Sequence, residues 1–185
     1  MMPEISLNIL DVAENSVKAG AKLVELTVSA DFSENKLVVT IADDGCGMTK
    51  EQVEAVIDPF YTTRTTRKVG LGVPFFKLAA ESSGGSFDIR SEKGKGTVVT
   101  AVFMLDSIDR MPLGDMVSTV HTLVTMHEDM DFVYLYRVDE REFTLDTREF
   151  REILGDVSFT LPDVSNYIRD YLRENTQEVT GSRNI

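Results

Sequence analysis

The chain predicts an α/β (α+β) two-layer sandwich with a mixed sheet, followed by a small C-terminal α+β segment. Three observations carry that prediction. Strand-like runs such as "KLVVTIA" (36–42) alternate with stretches of helical periodicity. "SFDIRSE" and "GTVVTAVFML" flank the turn "KGKG" as a strand pair, so hairpin-like pairs are interleaved with helices. The 185 residues, 42% hydrophobic and 27% charged, suffice for one compact domain, or one with a small appendage.

The elements follow in order. Pro3 near the first helical position, Glu4 in the first turn and Gly20 just past the end frame a helix over 3–19. A strand covers 22–30 and a second covers 36–42. The loop "DDGCGM" leads into a short helix from Lys50 to Ile57, and residues 58–69 read as irregular. A helix from Gly72 to Ser83 ends at Gly84-Gly85, and the strand pair follows. After the polar stretch "LDSIDRMPLGD" come a helix over 114–127 and two strands, "DFVYLYRV" and "REFTLD", joined at Asp139-Glu140. Two helices complete the chain. Asp146 and Glu149 make a capping pair for the first. The second places Val164, Ile168, Tyr171 and Leu172 at helical spacing, and the tail from about Asn175 is expected to fray.

Charge divides the chain at the same polar stretch. Residues 1–105 hold 11 Lys+Arg against 14 Asp+Glu, residues 106–185 hold 8 against 17, and no lysine follows Lys95. The expected units are therefore 1–105 and an acidic 106–185, the second a region for a protein partner or homodimer. A net charge of −12 disfavours nucleic-acid backbones and anionic membranes as bulk-charge partners. There is no apolar run of about 18 residues and no signal pattern at the start, so no membrane insertion and a cytoplasmic location are expected. A single cysteine, Cys46, excludes an intramolecular disulfide framework, and two histidines, His121 and His127, disfavour a zinc centre.

Four stretches carry chemistry. In "LDVAENSVKAGA", a helical projection at about 100° per residue puts Ile5, Ile9, Val12, Ala13, Ser16 and Ala19 on the arc that must face a sheet. Asn8, Asp11 and Asn15 fall together on one border of that arc. Glu14 falls on the other border and reads as a surface residue. Taken alone, these polar residues also describe a solvated helix face. In "DDGCGM", two glycines spaced by two allow a backbone to approach a ligand, and an aspartate ending a strand can accept from an amino group. A plain strand-to-helix turn has the same signature. In "DPFYTTRTTRKVGLG", hydroxyls and cations precede a glycine pair that opens a helix, a combination suited to phosphate oxygens. In "GKGTVV", Thr97 enters the last strand of the first part.

The order and spacing of these four stretches resemble the ATP-binding domain shared by gyrase B subunits, MutL, a heat-shock chaperone and sensor histidine kinases, the GHKL superfamily with its Bergerat fold. The resemblance covers about residues 5–104. "LDVAENSVKAGA" is most similar to the MutL version; "DPFYTTR", "VGLGVPFFKLAAESSGG" and "KGKGT" are more similar to the histidine-kinase version. It implies that Asn15 helps hold Mg²⁺ against the phosphates of ATP, through one hard amide oxygen. It implies that Asp43 bonds the adenine amino group, with Gly45 and Gly47 shaping the pocket and Thr97 close to the adenine. Residues 61–69, including Thr62, Thr63, Arg64 and Lys68, stand where the ATP lid sits, and Gly70, Leu71 and Gly72 follow it near the phosphates. Asp11 stands four residues before the asparagine, where hydrolysing and serine-kinase branches carry a glutamate base and histidine kinases usually carry a neutral residue. It retains a carboxylate able to take a proton, one methylene shorter. Lys68 replaces a glycine usual in histidine kinases. The lysine that a second domain supplies in gyrase and MutL has no counterpart after Lys95, so an arginine would have to substitute. Residues 106–185 resemble no family we recognise.

Three functions fit: a protein kinase, a slow ATPase switch, and a regulatory ATP-binding module without chemistry. The expected function is a stand-alone Mg-ATP-binding regulatory protein that transfers or hydrolyses the γ-phosphate, because no phosphoacceptor helix pair precedes the ATP-domain helix. The alternative is a non-catalytic conformational switch. His121, among Val120, Leu123 and Val124, reads as a packing or surface residue. His127, before Glu128, is only a faint echo of a phosphoacceptor motif.

Overall fold

The computed structural model describes residues 4–58 and 71–185. Its elements are α1 (Ile5–Lys18), β1 (Leu23–Asp31), β2 (Lys36–Asp43), α2 (Lys50–Ile57), α3 (Gly72–Ser82), β3 (Ser86–Glu92) and β4 (Gly96–Met104). There follow α4 (Met116–Met126), β5 (Asp131–Val138), β6 (Arg141–Asp146), α5 (Thr147–Leu154) and α6 (Pro162–Thr180). The six strands form one mixed sheet in the order β3-β4-β2-β1-β5-β6. Every pairing is antiparallel except β1 with β5.

Strand alternation decides which sheet face is covered. On β1, Val24, Leu26, Val28 and Ala30 are buried while Glu25 is exposed; on β2, Leu37, Val39 and Ile41 are buried. β4 adds Val99, Ala101 and Phe103, and β5 adds Phe132, Tyr134, Tyr136 and Val138. A period of two thus gives a single apolar face. Across the helices, α3 packs on α1, α1 on α4, and α4 on α6. One continuous core results, running from Phe76 of α3 to Leu172 of α6.

The expected boundary near residue 105 falls in the connection between β4 and α4, and the sheet passes across it. β5 pairs with β1 from Leu23↔Asp131 to Ala30↔Val138. The chain tail differs from expectation, because α6 continues to Thr180. Val179 is 5% exposed, the Tyr136 hydroxyl bonds Thr180 Oγ1 at 2.9 Å, and Arg141 donates to the carbonyl oxygens of Glu178 and Thr180. Burial and capping by distant strands offset the fraying entropy.

Candidate functional site

Asp43 ends β2, and both its carboxylate oxygens are engaged. Oδ2 accepts from the Ser16 hydroxyl at 2.6 Å, and Oδ1 accepts from the Gly45 N–H at 2.9 Å. Ser16 is 3% exposed on the sheet-facing side of α1, so its hydroxyl has few other partners and fixes the carboxylate. The bond is short and charge-assisted. The neighbouring Asp44 serves a different purpose. Its Oδ1 accepts from the backbone N–H groups of Lys22 and Leu23 at the start of β1, which holds its carboxyl below the usual range.

The loop after Asp43 is tied on two sides. The Cys46 N–H donates to the Ala19 carbonyl, and the Cys46 carbonyl accepts from the Gly94 N–H at 2.7 Å. Gly47 has φ +63°, and a Cβ there would lie 2.0 Å from the Glu92 carbonyl oxygen, so this position requires glycine. Ser91 organises the far wall. Its oxygen accepts from the Met48 N–H at 2.8 Å and its hydroxyl donates to the Gly96 carbonyl at 2.9 Å. A serine has one proton, so in the 2.8 Å pair with Ser91 it is Thr97 that donates. The acceptor lone pairs of Thr97 stay available, directly across the β2–β4 ladder from Asp43.

Asp11 and Asn15 lie one turn apart on α1, about 6 Å between Cβ atoms. Both are half-buried, and neither side chain hydrogen-bonds another described residue. Asp11 is pressed against the start of α3: a Cβ added at Gly72 would stand 2.7 Å from Asp11 Cβ and 3.2 Å from its Oδ2. Only a residue without a side chain lets the two helices approach so closely. The N-cap of α3 is the half-exposed Leu71, whose side chain offers no capping group. The first-turn N–H groups of α3 form an anion-attracting end beside Asp11.

Asp11, Asn15, Asp43, Gly45, Gly47, Leu71, Gly72 and Thr97 therefore gather around α1, the end of β2 and the start of α3. Thr62, Thr63, Arg64, Lys68 and Gly70 lie outside the described residues. Cys46 is exposed, and no group of three or more His, Cys, Asp or Glu side chains able to hold a metal occurs among the described residues. Glu14 is more than a surface residue. It bonds His127 Nε2 at 2.7 Å, which ties α1 to the end of α4. His121 is 7% exposed against Ser165 of α6. Two residues of the site were not anticipated. Ser16 was visible only as a polar residue within an apolar arc, and Ser91 gave no sequence signal.

Comparison with known proteins bears on the family and the fold. Residues 4–107 match the family model described as histidine kinase-, DNA gyrase B- and HSP90-like ATPase. The sensor protein SrrB of Staphylococcus aureus is 35% identical over 101 residues, which is 52% of this chain but only 17% of that protein. The chain thus spans about a sixth of the length of this relative. Among solved structures, the Aquifex aeolicus MutL ATPase domain complexed with ADP aligns with a TM-score of 0.55 at 15% identity, covering 97% of this chain and 69% of that one. The N-terminal domain of a DNA repair protein aligns at 0.56 and 12% identity, covering 98% of this chain and 58% of that one. At these identities the likeness is one of fold, and it reaches the elements beyond residue 107. With its family model matched over more than half its length, the chain belongs to the histidine kinase-, DNA gyrase B- and HSP90-like ATPases.

Proposed function

We propose that the chain is a cytoplasmic Mg-ATP-binding regulatory protein that transfers or hydrolyses the γ-phosphate. The observation that carries this reading is the pair of anchors on one helix: Ser16 fixing Asp43 at one end, Asp11 pressed against the start of α3 at the other. Asp43 accepts the adenine amino group, and the free acceptor of Thr97 lies across from it. Asn15 offers a hard oxygen with no partner among the described residues, which fits one position of an octahedron otherwise filled by phosphate and water. Bound there, the magnesium ion would neutralise charge on the phosphates. Asp11 holds the proton taken from an attacking water or hydroxyl, and the α3 amides face the charge that develops on the phosphoryl oxygens.

The reading of 106–185 as the partner-facing part is supported by exposed apolar residues, Ile153 at 81% and Tyr167 at 59% among them. Among the described residues no helix is long and apolar enough to cross a membrane. The alternative is a nucleotide-driven switch without chemistry, supported by Asp11 being one methylene shorter than a glutamate base.

Calorimetry with Mg-ATP tests the first step, and ATP labelled at the γ-phosphate tests the second. Label on protein supports transfer, free phosphate alone supports hydrolysis, and binding without either supports the switch. Asp11→Asn should lower phosphate release or transfer by about tenfold or more with binding retained. An unchanged rate removes Asp11 from the chemistry, and no heat with Mg-ATP overturns the whole reading.

A further inference from the structure

A cleft of about 170 Å³ lies between α1, α3 and the connection after β4. Phe75, Leu78 and Ala79 of α3 line it together with Met111, and the exposed Asp109 stands among its lining residues. Asn8 of α1 also lines it, as does Ser82. Asn8 is 0% exposed, and neither its amide nitrogen nor its amide oxygen has a hydrogen-bond partner among the described residues. Native interiors rarely leave both halves of a buried amide unmet, because each loses its bonds to water without replacement. The cleft, the orphaned donor and the orphaned acceptor coincide, and none of them belongs to the nucleotide arrangement described above.

We infer that this cleft binds a small flat ring carrying a neutral carboxamide or lactam edge. The size argues for one ring, since an apolar cavity of about 150 Å³ accommodates benzene. The edge follows from Asn8. Its NH₂ seeks an acceptor and its C=O seeks a donor, and a carboxamide or lactam presents both side by side. The charge follows from the lining. Among the described residues no cation lines the cleft, and Asp109 disfavours a carboxylate. Lys77 and Arg110 are the nearest cations in sequence; Lys77 pairs with Glu81 one turn on along α3, and the Arg110 guanidinium is occupied by the carbonyl oxygens of Leu105 and Met111. Both Asn8 amide atoms are covered, so a ligand reaches them when the long, unbranched Met111 side chain swings aside.

The test is an NMR titration of the full chain with methyl-labelled methionine, following Met111, whose signal is assigned with Met111→Leu. Benzamide, benzoate and toluene are the three probes. Benzamide should shift the Met111 signal saturably, with a dissociation constant about tenfold or more below those of benzoate and toluene. Asn8→Leu should reduce benzamide to the level of toluene. Should that core variant fail to fold, Asp109→Lys at the exposed rim decides, and it should strengthen benzoate severalfold. No saturable shift up to the solubility of benzamide overturns the inference. So does equal affinity for benzamide and toluene, the result expected if water alone satisfies Asn8. Unchanged benzoate binding in Asp109→Lys would overturn it as well.

Discussion

Removing one hydroxyl, in Ser16→Ala, separates the positioning of the purine from every other task of the site. In the native chain two bonds orient Asp43: the Ser16 hydroxyl at 2.6 Å and the Gly45 N–H at 2.9 Å. Alanine keeps the packing of α1 and deletes the shorter bond. A hydrogen bond to a charged group contributes about 1.5–3 kcal/mol net. Asp43 is only half-buried, so water replaces part of this, and a stability loss of about 1–2 kcal/mol is expected. For a chain of this size that lowers Tm by about 2–8 °C. A carboxylate held by one bond loses its aim at the amino group, and Mg-ATP affinity should fall about five- to thirtyfold. Binding of Mg-tripolyphosphate, which has no base, should not change. Asp43→Asn is the companion variant and should weaken adenine selectivity itself. Titration calorimetry on the folded variant reads both affinities. A Kd for Mg-ATP within twofold of the native value would refute the positioning role. Equal losses for the two ligands would refute it too, since they would place the effect away from the purine.

Three further outcomes follow from the geometry. Gly72→Ala places a methyl group 2.7 Å from Asp11 Cβ, so turnover should fall by about tenfold or more and Tm should fall with it, the overpacking cost of about 1–3 kcal/mol exceeding any gain in helix propensity. A paired turnover and melting series checks this. Burial first and Arg169 second hold the His121 pKa below 6.5. The stability it contributes is full above that pH and is lost as pH falls through the depressed folded value, by up to about 1.4 kcal/mol per pH unit. Urea titrations between pH 7.5 and 5.5 should show the slope, and His121→Leu should flatten it. Truncation after residue 107 leaves β1 without β5 as its neighbour, so the fragment should aggregate or lack cooperative melting by calorimetry.

The sequence carried most of the element boundaries, because local signals set them. Thr49 before Lys50 receives the Gln52 N–H and returns a reciprocal bond, and Asp115 and Asp146 cap α4 and α5. What stayed hidden depends on partners distant in the chain. The parallel β1–β5 pairing brings residues about 108 apart into register, and no local periodicity encodes it. The same holds for the last turn of α6, fixed by Tyr136 and Arg141, and for Glu14, whose partner His127 lies just past the end of α4. Ser16 shows the limit most clearly. Its place in an apolar arc was legible, but the carboxylate that makes it necessary sits 27 residues later at the end of a strand.

These long-range ties bear on how the site is held. The N–H groups of Ile5 and Ser6, at the free end of α1, are taken by the carbonyl oxygens of Pro112 and Leu113 at 3.0 and 2.8 Å. The Glu4 carboxylate accepts from the Ser6 hydroxyl and from the Asp115 N–H. Farther along the helix, Glu14 meets His127 beyond α4. The helix that carries Asp11, Asn15 and Ser16 is therefore gripped at two points by chain after residue 105. A rigid α1 cannot rotate or slide without breaking those bonds, because the close contact of Asp11 with Gly72 leaves no slack on its other side. The connection before α4 and the end of α4 thus share bonds with the same helix whose Ser16 holds Asp43. Those bonds join the acidic C-terminal part directly to the helix that carries Asp11, Asn15 and Ser16.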